Sequence, residues 1–378
     1  MALQSMYRYV LCVVVCLCLP VWAQAGTSLS VQWSVDVDGR QPQDKGAFAA
    51  PALVGSEAEQ RIMLGGADAR AHIYDMSGKE VLRVPLQQSC DSGTVGIGAS
   101  LGVLGDSKGT LYGIDVQQGK VVWRFKLSSS LTGFPVRVGD DVLLQTTDNS
   151  LYRIDAQGHK VWSFATQQGG LGLYLSSTPL VVQGSVYALL SNGDAVAVDA
   201  ATGTLLWRKQ LLLDTDAAML RDLKAPQATP MHLEQVSFDG RSMHDVVLFP
   251  FYQGDVFVLN RSNGDVLHRE SISLKATPIL SDGILYLADT HGVLTATRAD
   301  TGEQLWQKQV SSFELQGPVL WHDALWLTDE SGVLFQVSKQ GKVQASLDTH
   351  GAIERLPVVT PQGLLVHHTL GGLYLIHE

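Results

Sequence analysis

The chain has 378 residues, 45% of them apolar, which is enough to bury a large core and excludes a disordered or low-complexity protein. Asp and Glu number 37 against 27 Lys and Arg, for a net charge of −10, so a nucleic-acid binder, which needs a basic stripe, is disfavoured. With 37 Gly, 13 Pro and only 17% charged residues, the chain reads as turn-rich and β-rich rather than helical.

The first predicted element is an export signal. Arg8 is the only charge in the first 35 residues, and an apolar run, Val10-Leu-Cys-Val-Val-Val-Cys-Leu-Cys-Leu-Pro20, follows it. Ala23-Gln-Ala25 fits the small-x-small cleavage rule, so residues 1–25 read as a signal peptide removed after Ala25. The uninterrupted stretch 9–23 is shorter than the ~20 residues a spanning helix needs. Cys12, Cys16 and Cys18 each follow Leu or Val rather than a small residue, so no convincing lipid-attachment motif is present. The remaining chain, 26–378, would keep Cys90 as its one cysteine and could form no internal disulfide. It is expected to be exported and soluble.

A single motif then recurs to the end. Leu111-Tyr-Gly-Ile-Asp115 leads through Gly119 to Trp123, Leu151-Tyr-Arg-Ile-Asp155 through Gly158 to Trp162, and Val196-Ala-Val-Asp199 through Gly203 to Trp207. Each is an alternating strand, a tight turn and a second strand bearing Trp. Gly supplies the positive φ of the turn, and Asp can bond back to the turn backbone. Two further strands precede each motif. The Asp position recurs at Asp75, Asp115, Asp155, Asp199, Asn260, Arg298, Ser338 and His377, with spacings of 40, 40, 44, 61, 38, 40 and 39. Four short strands per period of about 40 residues predict a β-propeller. The last repeat stops at Glu378 without its Trp-bearing strand, and Leu29-Ser-Val-Gln-Trp33 near the start supplies one in register. The expectation is an eight-bladed all-β propeller of four-stranded antiparallel blades, its ring closed by the N-terminal strand.

The Asp, Thr-Gly, Trp order resembles the quinoprotein-type propeller repeat. It does not resemble a WD40 repeat, since no Trp-Asp dipeptide occurs. Within that superfamily the chain resembles the BamB family of outer-membrane β-barrel assembly factors. Leu171-Gly-Leu173-Tyr-Leu-Ser-Ser-Thr-Pro179 is similar to the family's L-x-L-R segment before Pro, and Leu220-Arg-Asp222-Leu-Lys224 with Ala228-Thr-Pro230 to its R-L-x-D-x-D-x-T-P segment. Three features depart from the pattern: the lipid motif is absent, Tyr174 stands at the family's Arg, and Lys224 at its second Asp. The fifth repeat is also enlarged, within 211–227 and 234–245.

The resemblance implies a non-catalytic periplasmic scaffold, a monomeric propeller that meets the inner face of the outer membrane through a protein partner, a BamA-like barrel-assembly translocase. It implies Leu171, Leu173, Tyr174, Arg221 and Asp222 as partner-binding residues, with no cofactor and no metal. Equivalent connections of adjacent blades emerge on one face, so the two leucines are expected near Arg221 and Asp222. An apolar pair beside a charged pair suits a small hot spot. The alternative is that the leucines fill gaps between blades.

The rival functional class is a ligand-binding or quinone-dependent propeller using its central channel. The quinone dehydrogenases it would resemble carry long insertions, an adjacent Cys-Cys pair and an acid–base constellation, whereas this chain has short blades and one mature cysteine. His367 and His368 are adjacent, and neighbours on a strand face opposite ways, which suits ordinary strand positions better than a metal. Asp214, Asp216 and Asp222 fit no EF-hand spacing. Gly96-Ile-Gly98 lacks the dinucleotide fingerprint and reads as a strand with close backbone approach. The in-register Trp residues are expected to pack between blades, while Trp321 and Trp326 lie outside the register. Leu211, Leu212 and Leu213, like Leu171, Leu173 and Leu175, stand beside connections, where exposed apolar groups would indicate binding.

Overall fold

Alternation of apolar and polar residues makes each repeat a set of half-buried strands, and these pair into eight four-stranded antiparallel sheets. The computed structural model describes residues 28–38, 49–90, 92–131, 133–166, 177–212, 228–237 and 242–378. Blade 1 is built from Ala52–Val54, Arg61–Gly65, Arg70–Tyr74 and Glu80–Pro85, and blade 2 from Val95–Ile97, Leu101–Gly105, Thr110–Asp115 and Lys120–Lys126. Blades 3 and 4 begin at Val136–Val138 and Leu180–Val182 and end at Lys160–Phe164 and Leu205–Gln210. Blade 5 runs from Met231–Val236 to Val266–Glu270, blade 6 from Ile279–Ser281 to Gln304–Gln309, and blade 7 from Leu315–Trp321 to Val343–Asp348. Blade 8 takes Val358–Thr360, Gly363–His367 and Gly372–His377 from the C-terminal end, and Ser30–Asp36 from the N-terminal end as its fourth strand.

That last pairing closes the ring. Ser30 lies opposite His377 and Asp36 opposite Gly372, with Trp33 opposite Leu375. The register matches Trp123 opposite Gly113 and Trp207 opposite Ala197, so the N-terminal Trp holds the place its counterparts hold. No free fourth edge is left on blade 8.

The third-to-fourth turns show why Asp and Gly recur. Asp75 Oδ1 accepts from the backbone N–H of Ser77 (2.9 Å) and Lys79 (3.1 Å), and Asp199 Oδ1 from Ala201 (3.1 Å) and Thr202 (2.8 Å). Gly203 then closes its turn at φ +71°.

The core sits between blades. Trp162 and Trp207 are buried, and each in-register Trp reaches the next blade. Trp33, Trp123, Trp162, Trp207 and Trp306 donate Nε1–H to the carbonyls of Met76 (3.2 Å), Ala156 (2.9 Å), Ala200 (3.0 Å), Arg261 (2.9 Å) and Lys339 (3.2 Å). The inter-blade packing expected of the series is therefore what it does. Trp326, outside the register, is fully buried in blade 7 and donates to the Trp321 carbonyl at 3.0 Å. Cys90 is a buried thiol. Gly96 approaches the blade 1 backbone so closely that a methyl there would stand 2.5 Å from the Leu53 carbonyl oxygen, the role read from its strand context.

Candidate functional site

The connectivity gives the propeller two unlike faces. One carries the first-to-second and third-to-fourth turns. The other carries the second-to-third turns and the connections that bring the chain from each outer strand back to the next inner strand. On this second face Pro51, Pro135, Pro179, Pro230, Pro278 and Pro357 immediately precede inner strands, and Pro318 lies within the one it belongs to. An inner strand pairs on one side only, so it tolerates a residue without an N–H.

Neighbouring connections are stitched together around the channel mouth. Thr94 N–H donates to Ala50 O (3.2 Å), Gly93 N–H to Gly133 O (3.3 Å) and Phe134 N–H to Thr178 Oγ1 (3.1 Å). Thr277 Oγ1 donates to Thr229 O at 3.0 Å, and His367 Nδ1 bonds Ala49 O at 2.8 Å. Arg355, entering blade 8, lies 5.2 Å from the centre of the Phe134 ring, entering blade 3. That contact spans blades 1 and 2.

The strongest charge feature of the face is Lys275, which is 9% exposed. Its Nζ meets Glu330 Oε1 at 2.7 Å, Glu314 Oε2 at 3.2 Å and Glu354 Oε2 at 3.4 Å. Burial opposes its charge, but the hydrogen bond to Glu330 and the attraction of Glu354, Glu330 and Glu314 win, holding the ammonium above its ordinary range. Burial likewise opposes the Glu330 carboxylate, and Lys275 outweighs it, so that carboxyl sits below its usual range. Tyr252 is raised by burial and by donating to Glu314 Oε1 at 3.0 Å. A lysine held protonated is neither nucleophile nor base at neutral pH. Chemically the cluster is a tie that fixes the connections of blades 6, 7 and 8. Sequence reasoning missed it. Its one signal was a lysine between apolar and small residues just before Ala276-Thr-Pro278.

Leu171, Leu173, Tyr174 and Leu175 lie in the connection from Lys160–Phe164 to Leu180–Val182, and Arg221 and Asp222 in that from Leu205–Gln210 to Met231–Val236. All six lie outside the described residues, as do Leu213, Asp214 and Asp216. The bracketing strands belong to blades 3, 4 and 5, so both connections are of the outer-to-inner kind. Leu211 and Leu212 are described, and they correct the expectation of exposed apolar groups. Both are buried in the cluster that holds Trp207 and Phe249. The Gly193 turn leaves room for Leu212, which a methyl on that glycine would meet at 2.7 Å.

The histidine pair has structural partners. His368 Nδ1 accepts from the backbone N–H of Leu370 at 3.1 Å, which puts its proton on Nε2, facing the Tyr374 hydroxyl at 3.2 Å. Burial lowers its pKa, so the ring is neutral.

A family model described as outer membrane protein assembly factor BamB matches residues 67–308 and 223–345. The chain is 28% identical over 289 residues to the BamB of Yersinia pestis, covering 75% of this chain and 70% of that one. It is 24% identical over 357 residues to the BamB of Bordetella pertussis, covering 93% and 87%. The crystal structure of BamB from Moraxella catarrhalis matches with a TM-score of 0.74 at 20% identity, over 93% of this chain and 100% of that one. The quinohemoprotein alcohol dehydrogenase of Comamonas testosteroni matches with a TM-score of 0.69 at 14% identity, over 92% and 76%. At such identities the solved structures carry the fold alone.

Proposed function

We propose, from the premise that this chain belongs to the BamB family of outer membrane protein assembly factors, that it is a non-catalytic scaffold which binds a protein partner in barrel-protein assembly. The observation that carries the reading is the family match through residues 67–345, most of the propeller. The face built from outer-to-inner connections is the binding face in this reading. Its described connections are stitched by hydrogen bonds and by the Lys275 tie.

The partner is a BamA-like translocase, and the contact is made by Leu171, Leu173 and Tyr174 with Arg221 and Asp222. The leucines exclude water and the charged pair sets orientation. The chain acts in the periplasm after cleavage behind Ala25, without a lipid. Mass spectrometry of the mature N-terminus checks that step, and an acylated Cys16 or Cys18 overturns it.

The binding claim is tested by photocrosslinking from position 173 in intact cells, with Leu173→Asp and Asp222→Ala measured for affinity and melting temperature. Loss of affinity of at least about tenfold in variants that melt like the parent supports the hot spot. Unchanged affinity overturns it. A large fall in melting temperature assigns the leucines to packing instead.

A further inference from the structure

The fourth strands form the outer rim of the ring, and three consecutive ones differ from the rest. Lys120–Lys126, Lys160–Phe164 and Leu205–Gln210, in blades 2, 3 and 4, carry Lys120, Arg124, Lys126, Lys160, Arg208 and Lys209 and no acidic residue. The fourth strands of the other blades mix the signs, with Arg83, Arg269 and Lys308 against Asp36, Glu80, Glu270 and Asp348. In a chain of net charge −10, this stretch of rim is a local excess of cations.

Among the described residues only Arg208 of the six has an ion pair, with Asp194. Arg124 lies over the Tyr112 ring, 5.6 Å from its centre, and Lys126 donates to the Lys108 carbonyl, so both keep a free charge. Asp115, Asp155 and Asp199, in the adjoining turns, are half-buried, and each accepts backbone N–H groups of its own turn. Lys120 and Lys160 are exposed beyond them.

Aliphatic side chains stand beside these cations. Trp123 pairs with Gly113 and Val121 with Ile114, so Val122 between them is the extra residue of a bulge. Val161 and Leu206 are bulged in the same way. A bulged residue has no partner opposite and is turned off the sheet. Val122, Val161, Leu206 and its neighbour Leu205 are 45% to 55% exposed.

We infer that the rim of blades 2 to 4 is a docking surface for a bilayer of acidic phospholipids. The ammonium groups meet the phosphates, while the lysine stems and the bulged aliphatics lie against the headgroup layer. A protein is the less suitable occupant, because protein interfaces are depleted in Lys and anchored by Trp, Tyr and Arg, whereas here Lys stands with Val and Leu. The acidic remainder of the chain does not cancel the attraction. At physiological salt the screening length is ~8 Å, so charges across the ring are not felt. Lys120, Val122, Lys160, Val161, Leu205 and Leu206 lie at the ends of their strands next to the third-to-fourth turns, away from the outer-to-inner connections. The surface therefore does not depend on the partner-binding reading.

The test is sedimentation of the purified full propeller with vesicles of phosphatidylglycerol mixed into phosphatidylcholine, and with phosphatidylcholine alone. Binding to the acidic vesicles is expected, with little to the neutral ones. It should largely disappear between about 0.1 M and about 1 M salt, where the screening length falls from ~10 Å to ~3 Å. Lys120→Gln and Lys160→Gln should each weaken it about fivefold, and together about 25-fold. Val122→Ser with Leu206→Ser should weaken it at least about threefold. Lys308→Gln, the same change of charge on blade 6, should leave it within about twofold. All these positions are exposed, so the variants should melt like the parent. No binding to the acidic vesicles, equal binding to both kinds, or a loss in Lys308→Gln as large as that in Lys120→Gln overturns the inference. A photocrosslinker at position 206 that captures protein and no lipid in intact cells gives the rim to a protein partner and overturns it too.

Discussion

Replacing Trp207 by Ala tests whether the in-register indoles lock one blade to the next. Trp207 is 8% exposed and packs against Tyr187, with ring centres 5.9 Å apart, and edge-on against Phe249 at 6.2 Å. Truncating a buried aromatic to Ala costs about 3–5 kcal/mol in transfer and cavity terms. The Arg261 carbonyl also loses its 2.9 Å donor and, among the described residues, keeps the Tyr187 hydroxyl at 3.5 Å, which adds about 1 kcal/mol. The total is roughly 5 kcal/mol. At about 2.1 cal/mol/K per residue, a chain of this length loses about 1.3 °C of melting temperature per kcal/mol, so about 6 °C is expected. Trp162→Ala is the internal control. Its acceptor, the Ala200 carbonyl, keeps the Arg153 Nη1 donor at 2.7 Å, so the penalty for a lost donor is largely absent. The two Phe variants isolate that difference, since Phe keeps a ring and removes the N–H. Trp207→Phe should cost about 1 kcal/mol more than Trp162→Phe in chemical denaturation followed by circular dichroism. Two Ala variants that melt within about 2 °C of the parent, or Phe variants in the reverse order, would refute the reasoning.

Removing residues 29–36 deletes the fourth strand of blade 8, with its six paired positions and the Trp33 contact to Met76. The purified variant should melt at least about 5 °C lower, and a synthetic peptide of the same residues should restore part of the loss; an unshifted melt contradicts the closure. Lys275→Met leaves the carboxylates of Glu314, Glu330 and Glu354 facing one another without their cation, and about 2–4 kcal/mol should be lost at pH 7, read by denaturant midpoint. The folded pKa of Glu330 is depressed, so its contribution in the parent is present above the ordinary Glu value of about 4.3 and is lost as pH falls through the lower folded value. The deficit of Lys275→Met should therefore shrink in acid, and a deficit independent of pH would show that the tie is not electrostatic.

The propeller and its closure were legible in the sequence because both rest on local chemistry repeated at a fixed interval. Asp bonding its own turn, Gly at positive φ and Trp two pairs from the strand end recur at Asp115, Asp155 and Asp199 whatever the rest of the chain does. The missing strand after His377 and the spare one around Trp33 could be matched for the same reason. The family's contact residues were legible only through resemblance, as a motif in two connections rather than as a geometry. What needed the tertiary structure was everything set by which blades become neighbours. Leu211 and Leu212 read as exposed beside a connection, yet they are buried in the cluster of Trp207 and Phe249, because residues that follow an outer strand still belong to the wedge between two sheets. Lys275 gathers carboxylates from 39, 55 and 79 residues further along the chain, a distance no local pattern spans. His268 looks in the sequence like one more lapse of the Trp register, no different from Leu82. Only the ring shows that Leu82 takes the place of a Trp over Gly119, since which side chain covers a turn is set by two neighbouring blades and is written in neither strand alone.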